Sequence, residues 1–149
     1  MSFEIVDIPA VAGRRAEWRV LFDGYSTFYG RALTDEVAEV VWAWLNDPAH
    51  EVEGVLALVD GRAVGMAHFR RQPRPALGQD MGYLDDLFVA PEARGGAIGR
   101  RLIEHVARVG RERGWGIIRW TTADDNYRAR GLYDQLARKT SWNLYELTV

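Results

Sequence analysis

Apolar residues recur along the chain with two different periods, and the changes from one to the other divide it into elements. Phe3 and Ile5 alternate with Glu4 and predict a short strand over Phe3 to Ile8. Trp18, Leu21, Phe22 and Tyr25 then return at i, i+3, i+4 and i+7, the spacing of a helix with one apolar face. Thr34 followed by Asp35 and Glu36 marks a second helix start, with a capping hydroxyl and two acids at the positive end of the dipole. Val37, Val40, Val41, Trp44 and Leu45 supply its expected buried stripe, which ends before Pro48. Val55 to Val59 and Ala63 to Phe69 flank Asp60-Gly61 and predict a hairpin. Arg71 to Asp80, with Pro73, Pro75 and Gly78, is expected to be a loop, and Tyr83 to Val89 is the strongest strand candidate. Leu102, Ile103, Val106 and Val109 mark a helix from Gly99 to Arg113, closed by Gly114. Ile117 to Thr122 is the next strand, and Ala129, Leu132, Tyr133 and Leu136 form a helical stripe after Asn126. Trp142 to Val149 is rich enough in aromatic and branched residues to finish as a strand. The order β α α β β β α β α β implies an α+β or mixed α/β fold whose mixed sheet carries its parallel pair near the middle.

Length and composition narrow the function more than the fold. The 149 residues suit one domain spanning 1–149. Nineteen basic against 21 acidic residues leave a net charge of -2, which removes the overall attraction that binders of nucleic acid or anionic membranes use. No nucleic-acid or membrane partner is therefore expected. No apolar run approaches the ~20 residues of a membrane span, and Glu4, Asp7 and Pro9 are unlike a secretory leader. The chain has no cysteine, which excludes disulfides, thiolate metal sites and a cysteine nucleophile and fits a reducing cytoplasm. His50, His68 and His105 lack ligand spacing, so no metal is expected. Six tryptophans, with Trp142 and Tyr145 in the last expected strand, leave apolar surface that a homodimer could cover.

The chemistry concentrates in one segment. After Leu87-Phe88-Val89 and Pro91, the run Arg94-Gly95-Gly96-Ala97-Ile98-Gly99-Arg100-Arg101 opens directly into a helix. Small residues let the backbone approach a ligand, and the unpaired amides of the first helical turn point at it. Arg94, Arg100 and Arg101 add charge suited to a pyrophosphate. The plain alternative is a loop before a helix whose arginines face water. A dinucleotide fingerprint and a P-loop are both absent, because neither G-x-G-x-x-G nor Gly-Lys-Ser/Thr occurs here.

Arg94 to Gly99 resembles the Arg/Gln-x-x-Gly-x-Gly/Ala signature of the GNAT superfamily of acyl-CoA-dependent N-acyltransferases, with Ala97 in place of the first motif glycine. Leu84 to Val89 is similar to the family's central strand, and Asn126 to Tyr133 to its second motif. The resemblance implies a mostly antiparallel mixed sheet flanked by about four helices, with acetyl-CoA as acyl donor. It implies that backbone groups of Leu87, Phe88 and Val89 hold the pantetheine arm. By the same resemblance, amides from Arg94 through Gly95, Gly96, Ala97, Ile98 and Gly99 to Arg100 hold the pyrophosphate, and Asn126 contacts the cofactor. Tyr133 would return a proton to the departing thiolate.

The acceptor implied is a primary amine of a small molecule, such as a polyamine or an amino acid; a protein or peptide acceptor and a non-catalytic CoA-binding domain are the alternatives. An amine with a pKa near ~10 must lose a proton before it attacks. Adjacent Asp85 and Asp86 are expected on opposite faces of one strand, so one of them serves the site. Asp85 stands where diamine acetyltransferases carry their glutamate base. Tyr133 also fits a core position on its stripe, and Asn126 also fits a helix cap. Tyr25, Phe28 and Tyr29 are expected in the link between the first two helices, as a wall of the acceptor pocket or as a hydrophobic clasp. Their Tyr-x-x-Phe-Tyr spacing resembles a branch with small yeast acetyltransferases of polyamines, histones and D-amino acids, and names no acceptor.

Overall fold

Burial on both faces of the central strands sets the architecture. In the computed structural model, which describes residues 1–149, five strands follow one another in chain order across one sheet. They are β1 (Phe3–Asp7), β2 (Val52–Val59), β3 (Arg62–Arg74), β4 (Gln79–Val89) and β5 (Ile118–Arg119). The first four pair antiparallel, and β5 runs parallel to β4. Val55, Ala57, Ala67, Phe69 and Leu84 point to one face, where they meet α3 (Ile98–Arg113), and Leu132, Tyr133 and Leu136 of α4 (Tyr127–Leu136) pack against that cluster. Leu56, Leu58, Met66 and Ala90 point to the other, under α1 (Arg15–Phe28) and α2 (Asp35–Asn46). The mixed, mostly antiparallel sheet with four α-helices is the α+β arrangement expected, but the parallel pair, expected near the middle, lies at the edge because no strand pairs beyond β5.

Local chemistry explains the joints. Asp60 and Gly61 both adopt positive φ, 49° and 78°, as a two-residue hairpin turn with native strand twist requires. Thr34 Oγ1 accepts a hydrogen bond from the Val37 amide and caps α2. No helix is long and apolar enough to cross a membrane.

Four further expectations change. Residues 71–80 are not a loop: β3 and β4 continue as a hairpin through Pro73 opposite Asp80, and only Pro75–Leu77 turns. Proline is tolerated because this end of the hairpin lies beyond the packed centre, where a lost ladder donor costs little. The β5 strand is only Ile118–Arg119. In α2, Val37 and Val40 are each 49% exposed and Trp44 is 41% exposed, while Ala38 and Leu45 are buried. The small Ala38 lets the helix approach through a different stripe. Trp142 to Val149 joins no strand at all.

The β4–β5 junction is the tightest place in the sheet. A Cβ on Gly82 would stand 2.5 Å from Ile118 Cδ1 and 2.6 Å from Trp115 Cε3. Gly82→Ala should therefore cost about 1–3 kcal/mol through overpacking. Gly116→Ala, with open space around its added methyl, should cost far less. Urea unfolding of the two variants checks this ordering, and equal losses would contradict it.

Candidate active site

The site begins where β4 leaves the ladder. His68 pairs with Asp86 and Phe69 with Leu84, so Asp85 is the extra residue of a β-bulge. The bulge reverses the alternation, and Asp85 and Asp86 both line the same cleft instead of facing opposite sides. Strict period-two reasoning fails here because a bulge is invisible in a run of strand-forming residues. On its other side β4 is bonded to β5 only through Gly82 and Tyr83. Beyond Tyr83 the two strands separate, which leaves a slot along Asp85 to Val89.

At the far end of that slot, the amides from Gly95 to Arg100 have no hydrogen-bond partner in the chain. They lie at the head of α3, where the dipole is positive, and no side chain caps them. Ala97 sits at φ 62°, a left-handed geometry that is costly for L-residues and explains why glycine is the common motif residue. A Cβ on Gly96 would meet nothing closer than the Ala93 carbonyl at 3.6 Å. The open backbone face suits a pyrophosphate. Arg94 Nε donates to the Val89 carbonyl at 3.1 Å and its guanidinium lies 5.5 Å from the Phe88 ring centroid, so it braces the turn. Arg100 bonds Gln135 at 2.9 Å. Arg101 is not beside the amides: its guanidinium stacks on Phe3, 3.5 Å from the ring centroid.

The cleft, about 980 Å³, lies between the sheet and the first two helices. Tyr25 and Phe28 belong to the last turns of α1 rather than to a link, and Tyr29 is its C-cap, because the helical period continues unbroken to Phe28. Tyr25 and Tyr29 line the cleft, whereas Phe28 lines a second cavity with Tyr29 and Asn126. Asn126 heads α4 but does not cap it; its amide donates to Thr122 Oγ1 at 3.0 Å. Tyr133 packs edge-on against Trp120, with centroids 5.4 Å apart, and its hydroxyl has no partner. Burial pushes its pKa up to about 12, so it stays a neutral donor through any working pH.

The two aspartates have different partners. Asp85 accepts from Arg70 Nε at 3.0 and 3.2 Å. Burial nonetheless holds its carboxyl above the usual range, against the lowering effect of Arg70. Behind Asp86 stands a buried relay that sequence reasoning missed. Trp18 Nε1 donates to His68 Nε2 at 2.9 Å, and His68 Nδ1 lies 2.8 Å from Asp86 Oδ2. An indole N–H can only donate, so His68 Nε2 accepts and Nδ1 carries the proton given to Asp86. Burial opposes ionisation of Asp86, but the bond from His68 outweighs it and holds its carboxyl below the usual range; the Tyr25 hydroxyl donates to the Asp85 backbone carbonyl at 3.4 Å. Trp18 and His68 had been legible only as separate apolar and scattered residues.

Stability should separate the pair. A depressed carboxyl stabilises the fold above its unfolded pKa near ~3.9 and loses that contribution as pH falls through the folded value. A raised carboxyl contributes below its unfolded value and loses this as pH rises through the folded one. Asp86→Asn should therefore cost about 1–3 kcal/mol at pH 7, because it replaces the charge-assisted bond from buried His68 by a neutral one, and progressively less in acid. Asp85→Asn should cost little at pH 7. Thermal melts across pH 3 to 7 check this, and the reverse order would refute the assignment of partners.

Comparison with known proteins bears on the fold and on the relatives of the chain. The family model described as acetyltransferase (GNAT) family matches residues 18–137. The chain is 34% identical over 131 residues to the D-amino-acid N-acetyltransferase HPA3 of Saccharomyces cerevisiae, covering 87% of this chain and 81% of the yeast protein. A ribosomal-protein-alanine N-acetyltransferase from Brucella melitensis biovar Abortus 2308 superposes with a TM-score of 0.79 at 26% identity, over 99% of this chain and 100% of that one. The aminoglycoside acetyltransferase AAC(6')-Iy, solved with a CoA bisubstrate analogue, shares the fold with a TM-score of 0.85 at 19% identity, over 100% of this chain and 99% of that one.

Proposed function

The chain belongs to the GNAT family and is an acetyl-CoA-dependent N-acetyltransferase, and from that premise we propose that it acetylates the primary amine of a small molecule, with amino acids the first class to test. The observation that carries this reading is the pair of acids, their carboxyls shifted in opposite directions, that line a cleft beside the open edge of β4. The cleft also presents Arg31, whose guanidinium forms no ion pair and lies 6.0 Å from the Tyr29 ring centroid. A fixed anion at Asp86 suits the acceptor's ammonium, and Arg31 suits a carboxylate on the same molecule. The yeast relative's name points to the same class.

In this reading the slot takes the pantetheine arm along Leu87, Phe88 and Val89, the amides from Gly95 to Arg100 take the pyrophosphate, and Asn126 contacts the donor near its arm. Asp85, with its raised carboxyl, takes the proton from the ammonium, directly or through one water. The freed nitrogen forms the new C–N bond at the thioester carbonyl as the C–S bond breaks, and its second proton passes to water, which balances the one the sulfur receives. Tyr133 gives its proton to the leaving sulfur. Two acids whose surroundings push their pKa values apart divide the work of binding and of proton transfer.

Release of free CoA thiol from acetyl-CoA, measured against separate panels of amino acids, polyamines and peptides, tests the proposal. Amino acids should give the fastest release, and release with peptides alone would overturn it. Tyr133→Phe should keep the fold and lose roughly 10²- to 10⁴-fold in turnover, the usual range for a general acid. Asp85→Asn should lose most at neutral pH and regain activity in alkali, where the amine deprotonates unaided. An unchanged profile would place the base elsewhere.

A further inference from the structure

A β-bulge frees a side chain as well as re-aiming it. Asp85 is the extra residue between the pairs His68–Asp86 and Phe69–Leu84, so no cross-strand neighbour fixes the direction of its carboxyl. Arg70, on the adjacent strand, does so instead. Its Nε donates to both carboxyl oxygens, at 3.0 and 3.2 Å, and the Asp85 carboxyl has no other partner. Arg70 is itself held in place: it pairs with Tyr83 across the β3–β4 ladder, and its guanidinium lies 4.9 Å from the Tyr83 ring centroid. Tyr83 is the last residue of β4 to pair with β5, and its hydroxyl donates to Thr121 Oγ1 at 3.5 Å. Contacts therefore run from the point where the slot opens, through Tyr83 and Arg70, to the acid.

An ion pair this open to water adds little to stability: the two side chains are 31% and 28% exposed in the wall of the cleft. We propose that Arg70 is a positioning residue of the transfer reaction, which aims the Asp85 carboxylate into the cleft in register with the donor slot and supplies the positive charge that keeps it available as a base. The proposal rests on the reading of Asp85 as that base. Among the surrounding groups, Asp86 on β4 works against the charge on Asp85, and His68 on β3 favours it. The Tyr25 hydroxyl, from α1, bonds the main-chain carbonyl of Asp85 and not its carboxyl. Tyr29 and Arg31 after α1, His50 and Glu51 before β2, and Glu146 near the C-terminus line the same cleft without bonding to it. Arg70 is the one cation that touches the base, and without it burial acts on Asp85 with little opposition.

Carbon-13 carboxyl shifts of the unliganded protein, with the Asp85 signal assigned by its loss in Asp85→Asn, report this coupling without any acceptor. The Asp85 midpoint should rise by about 1 pH unit in Arg70→Gln and in Arg70→Met, the low end for loss of an adjacent opposite charge because the pair is partly exposed. It should stay near the native value in Arg70→Lys. Methionine keeps a long side chain on the Tyr83 ring, so it separates loss of charge from loss of packing and carries the test if Arg70→Gln does not fold. The acid limb of kcat/KM, from CoA release with acetyl-CoA and the fastest amino acid of the panel above, should move to higher pH in both uncharged variants. In Arg70→Lys the limb should hold while kcat falls roughly tenfold, because an ammonium is a point charge without the planar edge that aims the carboxyl. In an Asp85→Asn background, Arg70→Gln should move the limb no further. A merely structural Arg70 would lower turnover at every pH and leave midpoint and limb unmoved, which would overturn the proposal while leaving Asp85 as the base. A shifted midpoint with an unmoved limb would instead show that Asp85 is not the base, and the proposal would fall with that reading.

Discussion

Hydrogen bonding between β4 and β5 stops after two residues, and the rest of the site follows from that separation. A parallel pair that stayed closed would bury the edge of β4 and leave no slot. The packing of Trp115 and Ile118 against Gly82 fixes the point from which the strands diverge. The bulge at Asp85 then re-aims the free stretch, so that two acids reach the cleft just where the edge opens. The α3 helix begins at the far end of the same stretch, with its unbonded amides turned outward. Anion site, slot and acids are thus successive consequences of one departure from regular pairing.

The acids show how neighbouring residues of the same type acquire different properties. Asp85 is tied to Arg70, but burial outweighs that charge and raises its carboxyl. Asp86 receives a proton-bearing nitrogen fixed by Trp18 from the other side, in the apolar layer beneath α1. The relay favours the charged form of Asp86 and leaves the more easily protonated carboxyl at Asp85. Core packing and site electrostatics meet in His68, which is 1% exposed and sits edge-on to Phe22.

Much of this was legible in the sequence because it rests on local signals. The Asp60-Gly61 turn, the Thr34 cap and the glycine-rich opening of α3 depend on residues within a few positions of one another. What escaped depends on contacts distant along the chain. The bulge arises from how β3 and β4 register, and the Trp18–His68–Asp86 relay joins three elements. The continuation of β3 past Arg71 outweighed its prolines because the hairpin end lies outside the core. Trp142 to Val149 has the composition of a strand and no partner strand within its own chain. Tyr25 and Phe28 were misplaced for a simpler reason: nothing breaks the helix before Tyr29.

The account stands on donor binding by the bare backbone at the head of α3, and calorimetric titration of acetyl-CoA into the Gly96→Val variant tests it most directly. The methyls would occupy the face the pyrophosphate needs, while the site of the added Cβ is otherwise open and Gly96 has no positive φ to protect. The predicted result is a wild-type melt in the absence of ligand together with loss of measurable binding. A variant that binds acetyl-CoA as tightly as the unmodified chain would contradict the account.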